Sequence, residues 1–191
     1  MIICVSVFWL NQSYSAEEGD AIFRRGNIGE PDSLDPHLTT SGYAFNIIFE
    51  MFVGLTTLTQ EAEVVAGAAA SWTISENGKV YIFKMRNGML WSDGKPVLAE
   101  DFAYSFRRMM DPVTASRGAP MFYMIKNARK VNSGQLSVDQ LGVTALDENT
   151  LRIELDNPTP FFLELIAHRC LPVRKDIIEE FGQKWTRPEN I

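Results

Sequence analysis

Few side chains in this 191-residue chain are grouped so that they could do chemistry. Glu100 and Asp101 are adjacent carboxylates. A general acid/base pair needs two carboxyl groups facing one substrate, with their pKa values pushed apart. Neighbours in sequence point in different directions, and negative charge at a helix start is favoured by the helix dipole. The pair therefore reads as helix-start acids. Ser92-Asp93 sets a hydroxyl beside a carboxylate. Its base would have to be the distant His37 or His168, and no nucleophile-elbow pattern surrounds the serine. A lone histidine of this kind reads as a hydrogen-bonded surface or loop residue. Gly26-Asn27-Ile28-Gly29 lacks the third glycine, the lysine and the following helix of a phosphate loop. Cys4 and Cys170, with two histidines far apart in sequence, give neither a disulfide framework nor a zinc set. These residues point to no enzyme, no metal and no cofactor.

The elements that would position these groups come from a chain of ordinary globular composition, 46% hydrophobic and 22% charged. The net charge of −6 and the scattered basic residues argue against a nucleic-acid surface. Ile2 to Leu10 form an apolar run too short to span a bilayer. Small residues at Ser13 and Ser15 follow it, so residues 1–16 read as a signal peptide cut near Ser15 or Ala16, with a buried strand as the alternative. No later segment reaches transmembrane length, so the product is expected to be soluble after export, not an integral membrane protein.

Ala21 to Arg24 reads as a strand, and Glu30 to His37 as a loop in which Pro31 and Pro36 block helix. Phe45, Ile48, Phe49 and Phe52 mark a helix face over 43–53, with Gly54 as its stop. Trp72 to Met85 reads as a hairpin about a two-residue Asn77-Gly78 turn, with Tyr81, Phe83 and Met85 on one face. Val143 to Leu155 repeats the pattern about Asp147 to Thr150. Helices are expected over 100–110, with Phe102, Phe106 and Met109 inward and Asp101, Arg107 and Arg108 towards water. Others start at Thr159-Pro160 and span 175–181, closed by Gly182. Hairpins and helices without βαβ alternation give an α+β class.

Taken together, Leu34-Asp35-Pro36-His37, Trp91-Ser92-Asp93-Gly94-Lys95-Pro96-Val97, residues 99–116 and residues 181–191 resemble the periplasmic oligopeptide-binding proteins of bacterial ABC importers, family 5 of the extracellular solute-binding proteins. The resemblance runs from about Phe23 to Ile191 and covers only the N-terminal part of the family's length. It implies part of a two-lobed periplasmic binding protein fold. On that pattern 17–53 belongs to the first lobe, 54–173 forms a small α+β domain, and 174–191 returns to a first lobe left incomplete. Phe45, Ile48 and Phe52 would then lack part of their cover.

The resemblance also implies a role. An oligopeptide is enclosed between lobes, and the loaded protein docks on an inner-membrane ABC permease. Thr39, Thr40, Ser41 and Gly42 are the implied ligand-binding residues, pairing with the peptide main chain as an added strand. The chain departs from the oligopeptide binders at Thr40, where they carry an acid, and at Gly118, where they carry a tyrosine. At Leu98 the family commonly has a threonine, which could cap the following helix. Alternatives within the family are dipeptides, murein peptide, nickel complexes or haem. Outside it, the alternative is a stand-alone interaction or chaperone-like protein. On this reading Trp91 packs and Asp93-Gly94 turns the chain.

Overall fold

The computed structural model describes residues 26–190. The expected signal peptide and the strand at 21–24 lie outside them. The first element is the helix α1, Gly42–Met51, capped by the Ser41 hydroxyl, which accepts from Tyr43 N–H at 3.2 Å. Ala44, Phe45 and Ile48 face inward against Leu171, with Leu34 and Phe52 packed on them. Phe45 and Ile48 are thus covered, contrary to the expectation from sequence. The exposed apolar side chains are instead Tyr43, Phe49, Met51 and Val53. Gly54 does not stop α1, which gives way to extended backbone at Phe52. Its role is close approach: a Cβ there would sit 2.9 Å from the Ile166 carbonyl oxygen.

A ribbon follows, β1 (Thr56–Leu58) paired antiparallel with β2 (Val64–Ala66). The sequence reading missed it because three-residue strands are too short to show alternation. Next come β3 (Ala69–Ile74) and β4 (Val80–Met85). Their turn differs from the expected two-residue form. Gly78 N–H reaches the Ser75 carbonyl at 2.8 Å, and Gly78 has a positive φ, whereas Asn77 does not. The longer loop needs only one left-handed residue.

Helix α2 (Ala99–Met110) crosses the sheet, and the short α3 (Ala128–Asn132) lies beside it. The hairpin β5 (Val143–Asp147) and β6 (Thr150–Glu154) completes a four-stranded antiparallel sheet in the order β3-β4-β6-β5. The sheet buries one face. Tyr81, Phe83 and Met85 of β4 lie with Leu151 and Ile153 of β6 under Phe102, Phe106 and Met109 of α2. On the other face Lys84 is exposed, giving the half-solvated pattern of antiparallel sheets.

Helix α4 (Phe162–Arg169) packs on β1. It starts two residues later than expected, because the Thr159 hydroxyl bonds to Asn157 C=O instead of capping. Helix α5 (Lys175–Phe181) ends at Gly182 with φ +54, as the sequence suggested. The observed class is α+β.

Candidate functional site

Loop 32–41 is positioned by a buried polar cluster. The Asp35 carboxylate accepts from His37 N–H (2.9 Å), from Arg108 Nη1 (3.0 Å) and Nη2 (2.6 Å), and from Trp185 Nε1 (2.9 Å). Arg108 can only donate, so its 2.8 Å contact makes His37 Nδ1 an acceptor. His37 Nε2 then carries the proton and donates to Ser105 Oγ at 3.0 Å, and Ser105 donates onward to Leu171 C=O at 2.5 Å. Every polar atom of this chain of bonds has a fixed direction.

His37 is a hydrogen-bonded loop residue, as the sequence suggested, and at 1% exposure it is buried rather than at the surface. Burial first, then the Arg108 charge, pull its pKa down to about 3, against the opposing pull of Asp35. Arg108 is likewise not turned to water: it crosses from α2 to anchor the loop. Burial is the largest effect on Asp35 and pushes its pKa up, but the Arg108 bond, the neighbouring charges and the Trp185 bond together leave it lowered. Ser105, His37 and Asp35 superficially suggest a catalytic trio. Ser105 is fully buried, however, its proton is committed to a carbonyl, and Arg108 rather than Asp35 holds the imidazole.

The other chemical candidates are also structural. Asp101 accepts from Leu98 N–H at 2.8 Å and Trp91 Nε1 at 3.1 Å, so it joins the helix start to the turn before it rather than facing water. Burial raises its pKa, with those two bonds opposing. Glu100 pairs with Arg107 across the surface of α2. In the turn at Trp91-Ser92-Asp93-Gly94, Gly94 has φ +81 and donates to Trp91 C=O at 2.9 Å. The Asp93 carboxylate also accepts from Arg174 Nη1, 3.0 Å to each oxygen, while the rest of that guanidinium holds Asp176. The segment thus ties α5 to the body and carries no reacting group. Cys170 is buried, and burial pushes its thiol up, away from reactivity. Among the described residues no three His, Cys, Asp or Glu side chains gather as metal ligands.

The expected ligand residues have divided duties. Thr39 is buried, donating to Asp32 Oδ1 at 2.5 Å and accepting from Ser41 N–H at 3.0 Å. Ser41 caps α1, and Gly42 is already its first helical residue. Extended backbone therefore ends at Ser41. Thr40 is exposed, and among the described residues nothing bonds to its main-chain N–H or C=O.

Two clefts meet at Thr40. One, of about 320 Å³, lies between α1 and α4 and is lined by Phe45, Phe49, Leu165, His168 and Arg169. The other, of about 70 Å³, lies against the turn at 116–122 and brings Thr40 beside Ser116, Arg117, Gly118, Met121 and Arg169. Thr40 and Gly118, far apart in sequence, share it. Ser116, Met121 and Arg169 carried no local sequence signal; only the packing of α4 and of the 116–122 turn gathers them. A larger cleft of about 690 Å³ lies away from Thr40, between Met51, Trp91, Phe181 and Trp185. Its Arg174 is fully engaged by Asp93 and Asp176. A free main-chain edge beside an uncommitted guanidinium is the better receptor, so the Thr40 clefts are the candidate site.

The structure is a mixed sheet-and-helix body that leaves the extended main chain at Thr40 exposed. Residues 63–191 match the family described as "Bacterial extracellular solute-binding proteins, family 5 Middle", and the chain belongs to that family. Among its relatives is the "Probable deoxycholate-binding periplasmic protein YgiS" of Escherichia coli, 38% identical over 89% of this chain and 32% of that protein. The periplasmic murein peptide-binding protein MppA of Escherichia coli is 39% identical over 85% of this chain and 30% of its own length. The Haemophilus influenzae OppA structure, in complex with RPPGFSPFR, matches with a TM-score of 0.80 at 33% identity, over 84% of this chain and 32% of that one. The chain thus spans about a third of the length of the relatives it matches. Among the described residues no helix is long and apolar enough to cross a membrane.

Proposed function

We propose that this chain supplies one wall of the ligand site of a periplasmic oligopeptide-binding component of an ABC importer. The observation that carries the proposal is Thr40: an exposed residue with free main-chain groups, between two clefts, in a family whose relatives include named peptide binders. A peptide would pair its main chain with Thr39 to Ser41 and lay side chains into the clefts, which tolerates varied sequence. Gly42, within α1, would only border the site. The role is binding and delivery to an inner-membrane permease, with no reaction on the ligand.

One open wall leaves a peptide largely solvated, and its ordering and association entropy of several kcal/mol is not offset. A pool of tri- to pentapeptides at micromolar concentration should therefore give no calorimetric binding to the 191-residue chain. Millimolar Ala-Ala-Ala should shift the amide resonances of Thr39, Thr40 and Ser41. Saturable micromolar binding would overturn the one-wall proposal, and unmoved amides at 39–41 would overturn the site assignment. The same reading divides the chain into a body at 54–173 and flanks at 17–53 and 174–191. Limited proteolysis should trim the flanks first; a resistant core that retains residues 26–53 would count against the division.

A second reading takes its support from the same clefts. An apolar trough of about 320 Å³ beside Arg169 suits a rigid apolar acid such as the deoxycholate in the name of one relative. Deoxycholate shifting Phe45, Phe49 and Leu165 where Ala-Ala-Ala does not would favour it.

A further inference from the structure

Ser116 is 8% exposed, and its hydroxyl has no hydrogen-bond partner among the described residues. An unpaired buried hydroxyl is uncommon and costly unless something bonds to it. Ala115, just before it, has φ +52, a left-handed conformation that a Cβ disfavours. In that conformation the turn brings Ser116 to the wall of the small cleft at Thr40.

Two cations line the same cleft, Arg117 and Arg169, and no carboxylate does. Neither guanidinium has an ion-pair partner among the described residues, although ion pairs are frequent elsewhere in the chain. Arg169 is held in place by stacking over the Phe45 ring, 4.4 Å from its centroid. Gly118 borders the cleft without a side chain, and a Cβ there would stand in ordinary contact with Ser116 Oγ at 3.7 Å. The free Thr40 N–H adds a donor at the rim. Donors of both kinds, unpaired among the described residues, surround about 70 Å³, the room of one functional group rather than of a whole ligand.

We propose that this cleft seats a carboxylate of the ligand. Arg169 and Arg117 supply the charge, Ser116 Oγ–H supplies a neutral donor, and the adjoining apolar cleft takes the atoms next to the carboxylate. The site thereby selects ligands that carry an anionic group beside an apolar one. The proposal rests on the reading of the Thr40 clefts as the ligand site, and the two can fail separately.

Butyrate and its neutral isostere butyramide are the probes, titrated at millimolar concentration into the 191-residue chain and followed by two-dimensional NMR. Butyrate should shift Thr40, Ser116, Arg117 and the Arg169 Nε–H saturably, and butyramide should not. Arg169→Gln should weaken butyrate about tenfold or more, as loss of a charged hydrogen bond implies. Ser116→Ala should weaken it by a smaller factor and leaves the charges untouched, so it serves if Arg169→Gln disturbs the fold. Ala-Ala-Gln, its C-terminal amide and Ala-Glu-Ala amide then distinguish a terminal from a side-chain carboxylate. Equal responses to butyrate and butyramide, or butyrate binding unchanged in both variants, would overturn the proposal. Peptide shifts at 39–41 without a butyrate response would overturn it and leave the peptide reading standing. A butyrate response without peptide shifts would do the reverse.

Discussion

The body under α2 and the cluster under α1 solve the same problem with different means. In the body, a helix with a narrow apolar stripe lies on a sheet that is apolar on one face, and the stripe disappears completely: Phe102 and Phe106 are fully buried, and Phe106 meets Phe122 edge to face at 5.7 Å. Helix α1 is apolar on more than one side. It buries Ala44, Phe45 and Ile48 against Leu171 and leaves Tyr43, Phe49, Met51 and Val53 exposed. The loop before α1 is held to the body by polar bonds, through the Asp35, His37 and Arg108 cluster that reaches Ser105 on α2. The body is therefore stabilised by apolar burial, whereas the loop before α1 depends on directed bonds that pH can undo. A helix in the second situation still has apolar surface to give to a ligand or to further protein.

The largest break should come in the body. Phe102→Ala removes a fully enclosed ring and should cost about 3–5 kcal/mol in a urea titration. Phe49→Ala, on the exposed side of α1, should stay within about 0.5 kcal/mol while lowering self-association in sedimentation, because it shrinks an exposed apolar patch. Equal costs at the two positions would erase the distinction.

Next is the bond between regions. Arg108→Met leaves the Asp35 carboxylate buried without its cation and should cost about 3 kcal/mol. Amide exchange in α1 should accelerate along with global opening, since the loop loses its anchor.

Acid should act through the same cluster. His37 is neutral in the fold with a pKa of about 3, below the ordinary 6.5, so the unfolded chain binds its proton first. Stability should fall as pH drops from about 6.5 towards 3. Asp35 adds a loss below the ordinary carboxylate range, as its lowered pKa is approached. His37→Gln should flatten the upper part of this fall; an unchanged profile would mean that another group carries it.

The smallest effects are at the helix caps. Leu98 stands at the start of α2 with only half of a capping box, Asp101 accepting its N–H. Leu98→Thr can supply the other half and should stabilise the body by about 1 kcal/mol, while Ser41→Ala should weaken α1 by a similar amount. If no change appears at Leu98, the packing of its side chain offsets the cap.

The sequence carried the body well because its information is periodic. Tyr81, Phe83 and Met85 alternate, and Phe102, Phe106 and Met109 recur at helical spacing, so both faces could be read before any contact was known. The close of α5 at Gly182 was legible for the same local reason. The ribbon at 56–66 was too short for a period, and the turn at Asn77-Gly78 depended on loop length as well as residue type. Asp101 and Arg108 read from sequence as solvent-facing charges on an amphipathic helix, whereas the structure turns both inward, because their partners stand outside that helix.

Residue order alone determined the strand and helix periods, the α+β class, and the motifs at 34–37, 91–97 and 99–116 that point to the solute-binding family. The periods and the class are local properties, set by φ/ψ preference and by which side of an element is apolar, whereas the motifs speak through their resemblance to the family. Only the tertiary structure decided which charges are spent and which are free. Asp35 takes up Arg108, and Asp93 with Asp176 takes up Arg174, while among the described residues Arg117 and Arg169 have no carboxylate partner and the neighbouring Ser116 hydroxyl has no hydrogen-bond partner. Pairing of charges depends on distances across the fold, and no spacing along the chain encodes it.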